Sequence, residues 1–176
     1  MTEIRPLEPR DEEALKRFFQ RIPEGDRTFF KEDVTDPAVV AAWTSPGAGR
    51  SIAVEGDTVV GSVALVPLTG WSSHVGELRV VVDPDHRGRR IGRDLARHAV
   101  LEALQLGLKK IVVEVVADQE PAIAMFRALG FDPEALLEDH IRDQTGELRD
   151  LMILAQVPED AYAAMAAVGL AEEEGL

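Results

Sequence analysis

The hydrophobic residues of the chain alternate between a spacing typical of helices and the short β-branched runs typical of strands. Apolar residues three to four positions apart predict four helices, at residues 9–22, 35–44, 91–106 and 121–129. Runs rich in Val and Ile predict seven strands, at residues 4–7, 51–54, 58–68, 75–83, 110–116, 131–142 and 148–157. The chain therefore mixes helices and strands throughout.

Short turns join these segments into what the sequence indicates is a single domain. Glu-Gly-Asp at 55–57 and Asp-Gln-Thr-Gly at 143–146 each separate two strands, which favours antiparallel hairpins. There is no internal repeat and no low-complexity linker. We expect one domain over residues 1–157, followed by a helical, acidic tail over residues 158–176 that frays.

Composition narrows the class of protein. The chain has 176 residues, enough for one full core, and no cysteine, which excludes disulfides, thiolate metal sites and cysteine nucleophiles. The histidines are scattered without the spacing of metal ligands, so we expect no metal site. No apolar run approaches the roughly 18 residues of a membrane span, and the N-terminus lacks a signal pattern. We therefore expect a cytoplasmic protein with no membrane partner.

Charge is distributed unevenly along the chain. The net charge is −13, from 32 acidic and 19 basic residues, which disfavours a nucleic-acid partner. Arginines nevertheless cluster at positions 87, 89, 90, 93 and 97. A cationic patch on an acidic body fits one small anionic ligand, and the acidic remainder favours a cationic second substrate such as an amine.

The arginine cluster begins in a loop between a β-branched strand and a helix. Residues 87–92 read Arg-Gly-Arg-Arg-Ile-Gly and follow a strand that ends at Asp83 and Pro84. Glycine lets the backbone approach a ligand closely, and the free N–H groups of a helix start suit a phosphate or pyrophosphate. The segment lacks both the Gly-Lys-Ser/Thr of a Walker loop and the Gly-x-Gly-x-x-Gly of a dinucleotide site.

This loop resembles the Arg/Gln-x-x-Gly-x-Gly/Ala signature of the GNAT (GCN5-related N-acetyltransferase) family. Residues 117–131 resemble the family's Asn-x-x-Ala-x-x-x-Tyr-x-x-x-Gly-Phe segment, and the likeness extends over about residues 1–157. It implies the GNAT fold, an α/β (α+β) arrangement with a twisted, mostly antiparallel sheet of about seven strands and about four helices. In that fold the parallel strands 4 and 5 splay apart.

The resemblance also implies acetyl-CoA as cosubstrate, with its pantetheine arm between the splayed strands. The implied binding groups are the main chain of the fourth strand, the amides of the loop and two side chains beyond it: Val80, Val81 and Val82; Arg87, Gly88, Arg89, Arg90, Ile91 and Gly92; Gln119 and Phe126. A main-chain N–H of the strand would also stabilise the oxyanion that forms on the thioester.

Two glutamates, Glu77 and Glu114, interrupt apolar strands on either side of the expected splay. Family members use glutamates at both places as the base that removes the proton of the amine, directly or through water. Burial would raise the pKa of such a carboxyl and suit it to this role. Alternatively, each pairs with a cation such as Arg79 or faces solvent.

Two positions depart from the family pattern. Arg90 stands where a glycine is usual, and Phe126 stands where a tyrosine commonly protonates the departing thiolate. Phenylalanine cannot donate a proton. Either the thiolate leaves without an assigned acid, or another group or water serves, or catalysis is inefficient.

The leading interpretation is an N-acetyltransferase in which a primary amine, either small or on a protein lysine or N-terminus, attacks acetyl-CoA directly. The first helices would line the acceptor side together with Trp71 and the final hairpin, although aromatic residues of this kind more often pack in a core: Phe18, Phe19, Phe29, Phe30 and Trp43. The alternative, motivated by Arg90 and Phe126, is a CoA-binding sensor or interaction module with weak or no catalysis. The fold is also compatible with a homodimer through a sheet edge.

Overall fold

The structure is a computed structural model that describes residues 2–27, 30–45 and 49–167. Its helices are α1 (Glu12–Arg21), α2 (Glu24–Arg27), α3 (Pro37–Trp43), α4 (Ile91–Gln105), α5 (Glu120–Ala128) and α6 (Pro158–Ala167). Its strands are β1 (Glu3–Pro6), β2 (Arg50–Glu55), β3 (Thr58–Pro67), β4 (Val75–Val82), β5 (Lys110–Val116), β6 (Asp132–Arg142) and β7 (Leu148–Gln156). In these ranges no helix is long and apolar enough to cross a membrane.

The helices include one short element that the hydrophobic pattern does not predict. The four predicted helices correspond to α1, α3, α4 and α5, and α6 lies in the predicted helical tail, whose residues 168–176 are outside the described ranges. The additional element is α2, a single turn. Pro23, expected only to end α1, also starts α2, because its carbonyl accepts hydrogen bonds from the amides of Asp26 and Arg27, both at 3.0 Å.

All seven strands form one sheet in the order β1-β2-β3-β4-β5-β7-β6. Neighbouring strands run antiparallel except β4 and β5, which run parallel. The connection between these two parallel strands is α4, as expected for a crossover that packs back onto its sheet. The predicted mixed, mostly antiparallel architecture is confirmed.

Each face of the central sheet is covered by a hydrophobic core. On one face α4 buries Leu95 and Ala99 against strands that include Leu78, together with Phe126 of α5. On the other face α1 buries its apolar stripe, including Phe18, against the strands of the N-terminal half. A ligand can reach the centre of the sheet where the strands separate.

The strands separate between β4 and β5, as predicted. Their parallel pairing ends at Leu78 and Val113, halfway along both strands. Beyond that point β4 continues to pair only with β3, as far as Val82, and β5 continues to pair only with β7, as far as Val116. The two halves of the sheet therefore diverge and leave a gap between them.

Candidate active site

The gap between β4 and β5 opens into a cleft of about 1160 Å³. Its loop side is formed by residues 87, 88 and 90–93 and the start of α5, and its carboxylate side by Glu32, Glu77, Arg79 and Glu114. The cleft brings together every predicted site residue except Arg89: Glu77, Glu114, Val80, Val81, Val82, Arg87, Gly88, Arg90, Ile91, Gly92, Gln119 and Phe126. The two motifs of the sequence therefore meet at one place.

The loop before α4 turns at two residues in the left-handed region. Gly88 has a φ of 76° and Arg90 a φ of 67°. The left-handed conformation costs a residue with a Cβ atom roughly 1–2 kcal/mol, whereas glycine adopts it freely. This conformation gives a physical reason for the glycine that the family usually carries where Arg90 stands.

The first turn of α4 presents free amide groups to the cleft. Arg90 is the N-cap residue, and its side chain does not cap the helix. Its carbonyl accepts the first helical hydrogen bond from the amide of Asp94, at 3.0 Å. The amides of Ile91, Gly92 and Arg93 therefore precede the ladder of helical bonds. Together with the helix dipole, they form a binding site for an anion.

The arginine side chains near the loop fall into two groups. Arg87 donates from Nη2 to Asp26 Oδ2 at 2.6 Å, and Arg89 donates from Nη2 to Glu55 Oε1, also at 2.6 Å. The bond to Glu55 explains why Arg89 lies away from the cleft. Arg93, in contrast, lines the cleft, and its Nε is buried without a hydrogen-bond partner among the described residues. A buried donor of this kind is available to an acceptor from a ligand or from water.

A buried ion pair fixes the loop at its start. Asp83 is 2% exposed and accepts a hydrogen bond from Arg21 Nε at 2.7 Å and another from the amide of Asp85 at 3.1 Å. Arg21 also donates to the carbonyl of Val59 at 2.6 Å. Burial would raise the pKa of Asp83, but the bond from Arg21 and the amide bond outweigh it and hold that pKa below its ordinary value.

The main chain of β4 exposes two residues to the gap. Hydrogen bonds alternate along an antiparallel pair, so every second residue directs its N–H and C=O away from the partner strand. Asp83 donates its N–H to the carbonyl of Val60 at 3.0 Å, so Val81, two residues earlier, also directs its main-chain groups toward β3. Val80 and Val82 therefore direct their N–H and C=O groups toward the gap. Of the three predicted valines, only these two offer free main-chain groups, and Val81 contributes its side chain.

Three glutamates and two cations form a network on the carboxylate side. Lys31 Nζ lies 2.8 Å from Glu77 Oε1 and 2.9 Å from Glu114 Oε2. Arg79 donates from Nε to Glu77 Oε1 at 2.8 Å and from Nη1 to Glu32 Oε1 at 2.7 Å. Glu77 is therefore held by two cations, and Glu114 by Lys31 alone among the described residues.

The pKa of Glu77 is lower than the sequence analysis expected. The residue is buried, at 8% exposure, and burial alone would raise its pKa. Hydrogen bonds from Arg79 and Lys31 outweigh that effect and hold the pKa of Glu77 below its ordinary value. The expected upward shift is wrong, and the alternative of pairing with Arg79 is confirmed. The same contacts raise the pKa of Lys31 against partial desolvation, so it remains an ammonium group.

Aromatic residues of the first helices contribute to the wall beside this network. Phe19, Phe30 and Trp43 line the cleft, and Phe19 packs edge-to-face against the other two at centroid distances of 5.7 and 5.5 Å. Phe18 belongs to the core and does not line the cleft. Phe29, which the sequence placed in the same set, lies outside the described residues.

On the loop side, two predicted residues of the second motif reach the cleft. Phe126 is 4% exposed and packs edge-to-face on Phe131 at 5.3 Å, so it provides an apolar wall. Gln119 precedes α5, and its side chain makes no capping hydrogen bond. Its side-chain amide is consequently available to a ligand.

Sequence analysis misses Lys31 and Arg50, both of which line the cleft. Lys31 lies in an irregular segment between α2 and α3, and Arg50 starts β2. Neither belongs to a motif, and charged residues in such places are usually solvated. Only the packing of the N-terminal helices over the sheet brings them to the site.

The free amides at the start of α4 suit a pyrophosphate, and the unpaired edge of β4 beside them suits an arm that carries amide groups. The neighbouring carboxylates suit an amine. Such a combination defines an acyltransferase that uses a CoA thioester, and the residues present fit acetyl-CoA. Residues 11–131 match the model of the Acetyltransferase (GNAT) family. The chain belongs to this family, whose members use acetyl-CoA.

Individual relatives agree with this assignment. The streptothricin acetyltransferase of Streptomyces lavendulae is 28% identical over 152 residues, which cover 73% of this chain and 80% of that protein. The [ribosomal protein bS18]-alanine N-acetyltransferase of Escherichia coli K12 is 33% identical over 76 residues, 43% of this chain and 51% of that protein. The structure of yncA from Salmonella typhimurium with its cofactor acetyl-CoA has a TM-score of 0.76 at 18% identity and covers 89% of this chain and 94% of that one.

Proposed function

We propose that this acetyltransferase moves the acetyl group of acetyl-CoA to a primary amine by direct attack. The observation that carries the proposal is the ammonium group of Lys31, which bridges Glu77 and Glu114 at 2.8 and 2.9 Å. The two carboxylates stand on the two strands that separate, and here they already bind a primary ammonium group. An acceptor that displaces Lys31 would place its own amine at the gap.

The loop side would hold the CoA part of the cosubstrate. The amides of Ile91, Gly92 and Arg93 suit the pyrophosphate, and the buried Nε of Arg93 supplies a further donor. The free main-chain groups of Val80 and Val82 suit the amides of the pantetheine arm, as in the addition of a strand to a sheet edge. Arg87 and Arg89 add positive charge around this side while they pair with carboxylates.

The two glutamates differ in what remains beside them once Lys31 is displaced. Glu77 keeps the guanidinium of Arg79, which favours its ionised form. Glu114 has no other ion pair among the described residues, so it is free to accept a proton. We therefore assign Glu77 to holding the incoming ammonium group and Glu114 to removing its proton, directly or through a water molecule.

The transfer itself then balances without a covalent enzyme intermediate. The neutral amine nitrogen attacks the thioester carbonyl, a C–N bond forms, and the C–S bond breaks with its electron pair leaving on sulfur. The attached nitrogen then loses its second proton to solvent, which leaves the neutral amide. Phe126 cannot protonate the leaving thiolate. An alkyl thiol has a pKa comparable to that of cysteine, about 8.5, so the thiolate leaves readily and takes its proton from solvent.

The acceptor class has two candidates in the names of the relatives. Streptothricin is a small molecule, whereas the bS18-directed relative acts on a protein alanine. The bridging of Glu77 and Glu114 by Lys31 fits either kind, because both offer a primary amine. The contacts deeper in the cleft, rather than the carboxylates, distinguish them.

The experiment that tests the proposal combines binding and turnover on one sample. Calorimetry measures acetyl-CoA binding, and release of free thiol measures transfer to a panel of small primary amines and lysine or N-terminal peptides. Gly92→Val would crowd the start of α4 against β4 and α5 and so disturb the loop side, because a Cβ atom at Gly92 meets Met125 Sδ and Val82 Cγ2, both at 3.3 Å. Gly25→Val, where a Cβ meets nothing within 4 Å, is the control.

Three outcomes separate the alternatives. Binding with thiol release for an amine class, lost in Gly92→Val and kept in Gly25→Val, supports the proposal. Binding without release across the whole panel contradicts the transfer and favours the sensor that Phe126 suggested. Absence of acetyl-CoA binding contradicts the assignment of the loop side itself.

A further inference from the structure

Arg50 lies on the same face of the sheet as the glutamate network. It pairs with Ala64 of β3, and Ala64 in turn pairs with Arg79 of β4. Residues directly opposite each other across neighbouring strands project from the same face, so Arg50 and Arg79 flank Ala64 in one row. The small side chain of Ala64 leaves open space between the two guanidinium groups, and all three residues line the cleft.

The guanidinium group of Arg50 is stacked but not paired. Its central carbon lies 3.8 Å from the ring centroid of Trp43. Within residues 2–27, 30–45 and 49–167, its side chain makes no hydrogen bond or salt bridge. Burial lowers the pKa of Arg50 to about 10, and the repulsion of Arg79 adds to that effect. At neutral pH the group is therefore a partly desolvated cation that lacks an anionic partner.

The nearest carboxylate does not satisfy this cation. Glu32 attracts Arg50 at a distance, but its Oε1 accepts a hydrogen bond from Arg79 at 2.7 Å. A guanidinium group has five N–H donors in a planar fork, and this geometry matches a carboxylate or another planar anion. A charge kept in a cleft without such a partner disfavours folding, which makes a role in binding a ligand the better explanation.

We infer that Arg50 binds an anionic group of the acceptor, so that the acceptor is a primary amine that also carries an anion, in the simplest case a carboxylate. The inference rests on the proposed function, because it uses Glu77 and Glu114 as the site of the amine. Trp43 and Phe30 form the apolar wall along which the carbon chain between the two charged groups would lie. The acidic surface of the protein then favours the amine of the acceptor, and Arg50 favours the anionic group on the same acceptor.

The position of Arg50 also sets a requirement for length. Its strand is separated by β3 from β4, which carries Glu77, and adjacent strands lie about 4.8 Å apart, so Arg50 and the amine site lie on strands roughly 10 Å apart. A series of amino acids with a terminal amine and increasing chain length therefore probes the same two contacts at different separations. Each member has a matched alkylamine that lacks only the carboxylate.

The test measures kcat and KM for these matched pairs, from glycine to 6-aminohexanoate, at saturating acetyl-CoA. Arg50→Met keeps an unbranched apolar side chain beside Trp43 and removes the charged guanidinium group that stacks on the ring. We expect it to raise KM for the preferred amino acid about tenfold or more, with little change in kcat, since a hydrogen-bonded charge pair contributes to binding on this scale. KM for the matched alkylamine should not change, and Arg50→Lys should give an intermediate value.

Controls separate a role in binding from a role in folding. Arg10→Met changes an arginine that is 71% exposed and lies outside the cleft, and it should alter neither KM. Acetyl-CoA binding by calorimetry should be unchanged in Arg50→Met, and its Tm should stay close to that of the unmodified protein, because removal of an unpaired charge offsets the loss of the stacking on Trp43. A lower Tm together with equal losses for both amines would identify Arg50 as a packing residue and overturn the inference.

Failure of the inference is distinguishable from failure of the proposed function. Turnover of amines with no preference for the carboxylated member, or with the preference unchanged in Arg50→Met, overturns the role of Arg50 and leaves the acetyltransfer intact. Binding of acetyl-CoA without turnover of any amine overturns the proposed function, and the inference with it.

Discussion

The ammonium nitrogen of Lys31 lies 2.8 Å from Oε1 of Glu77, at the point where β4 and β5 begin to separate. The contact pairs a residue of an irregular N-terminal segment with a residue of the central sheet. The contact also lowers the pKa of Glu77, although less than the hydrogen bond from Arg79 does. Lys31 thereby occupies the position that we assign to the acceptor amine. Lys31 therefore competes with the substrate.

Replacement of Lys31 by Met should remove this competition. We expect a lower KM for acceptor amines. Loss of one of its two cations should also raise the pKa of Glu77, so the acidic limb of the profile of kcat/KM against pH should move to higher pH. Steady-state kinetics over the pH range measures both effects.

Lys109→Met is the matched control, because Lys109 is 62% exposed and pairs with Glu159 away from the cleft. It should change neither KM nor the pH profile. A higher KM in Lys31→Met, with the acidic limb unchanged, would show instead that Lys31 assists binding of the acceptor.

The left-handed conformation of Arg90 leads to a prediction about stability. Arg90→Gly should be more stable than Arg90→Ala by about 1 kcal/mol, because alanine retains the left-handed strain and glycine does not. In an ordinary helical position the order would be reversed. Denaturant unfolding of the two variants measures the difference.

Gly88→Ala provides the comparison, since Gly88 has a φ of 76° and a Cβ there meets nothing within 4 Å. It should lose about 1 kcal/mol through backbone strain alone. If main-chain amides hold the pyrophosphate, Arg90→Gly and Arg90→Ala should both retain acetyl-CoA binding. Equal stability of these two variants would show that the loop relaxes out of the left-handed region.

The elements that sequence analysis predicts well are those with a local cause. Periodic burial defines α4, and β-branched runs define β5, whose predicted and observed bounds coincide. The loop at 87–92 and the segment around Phe126 are recognisable because their chemistry depends on contiguous residues. Consequently, local patterns predict the strands and the loop side of the cleft, whereas the order of the sheet and the splay follow from the resemblance to the GNAT family.

The rest of the site depends on contacts between distant residues. The sequence indicates the pairing of Glu77 with Arg79, which lowers its pKa most, but it does not indicate the second cation, Lys31, from a segment 46 positions earlier in the chain (77 minus 31). Arg50 reaches the cleft because Trp43 of α3 supports it. The orientation of the β4 main chain can likewise be predicted only when the register with β3 is known. That register directs the main-chain groups of Val80 and Val82, and not those of Val81, toward the gap.

A buried carboxyl away from the cleft gives a prediction about pH and stability. Burial raises the pKa of Glu102 in α4, and the charge of His98 offsets this only in part. A raised pKa in the folded state means that stability is highest below the unfolded pKa and is lost as pH rises through the folded pKa. Glu102→Gln should therefore raise the Tm at pH 7 and weaken its decline from acidic to neutral pH.

Glu3→Gln, at an exposed position on β1, is the control and should leave the dependence of Tm on pH unchanged. Thermal unfolding between pH 4 and pH 8 provides the measurement. A lower Tm of Glu102→Gln at pH 7 would show that the ionised carboxylate is stabilised by a contact beyond that with His98.

The division of roles between the two glutamates can be tested directly. Glu114→Gln removes the assigned proton acceptor, and we expect kcat to fall about 100-fold or more while KM changes little. Glu77→Gln removes the main contact of the ammonium group and leaves Arg79 with one carboxylate partner, Glu32, so we expect chiefly a higher KM. Thiol release at saturating acetyl-CoA separates the two parameters.

Glu147→Gln is the matched control, because Glu147 is 67% exposed in the turn between β6 and β7 and does not line the cleft. Acetyl-CoA binding should persist in all three variants, since neither cleft glutamate contacts the loop side. The pH profile adds a second criterion: Glu114→Gln should lose the acidic limb of kcat, whereas Glu77→Gln should keep it. The reverse pattern would assign proton removal to Glu77 and show that its ion pair with Arg79 opens during the reaction.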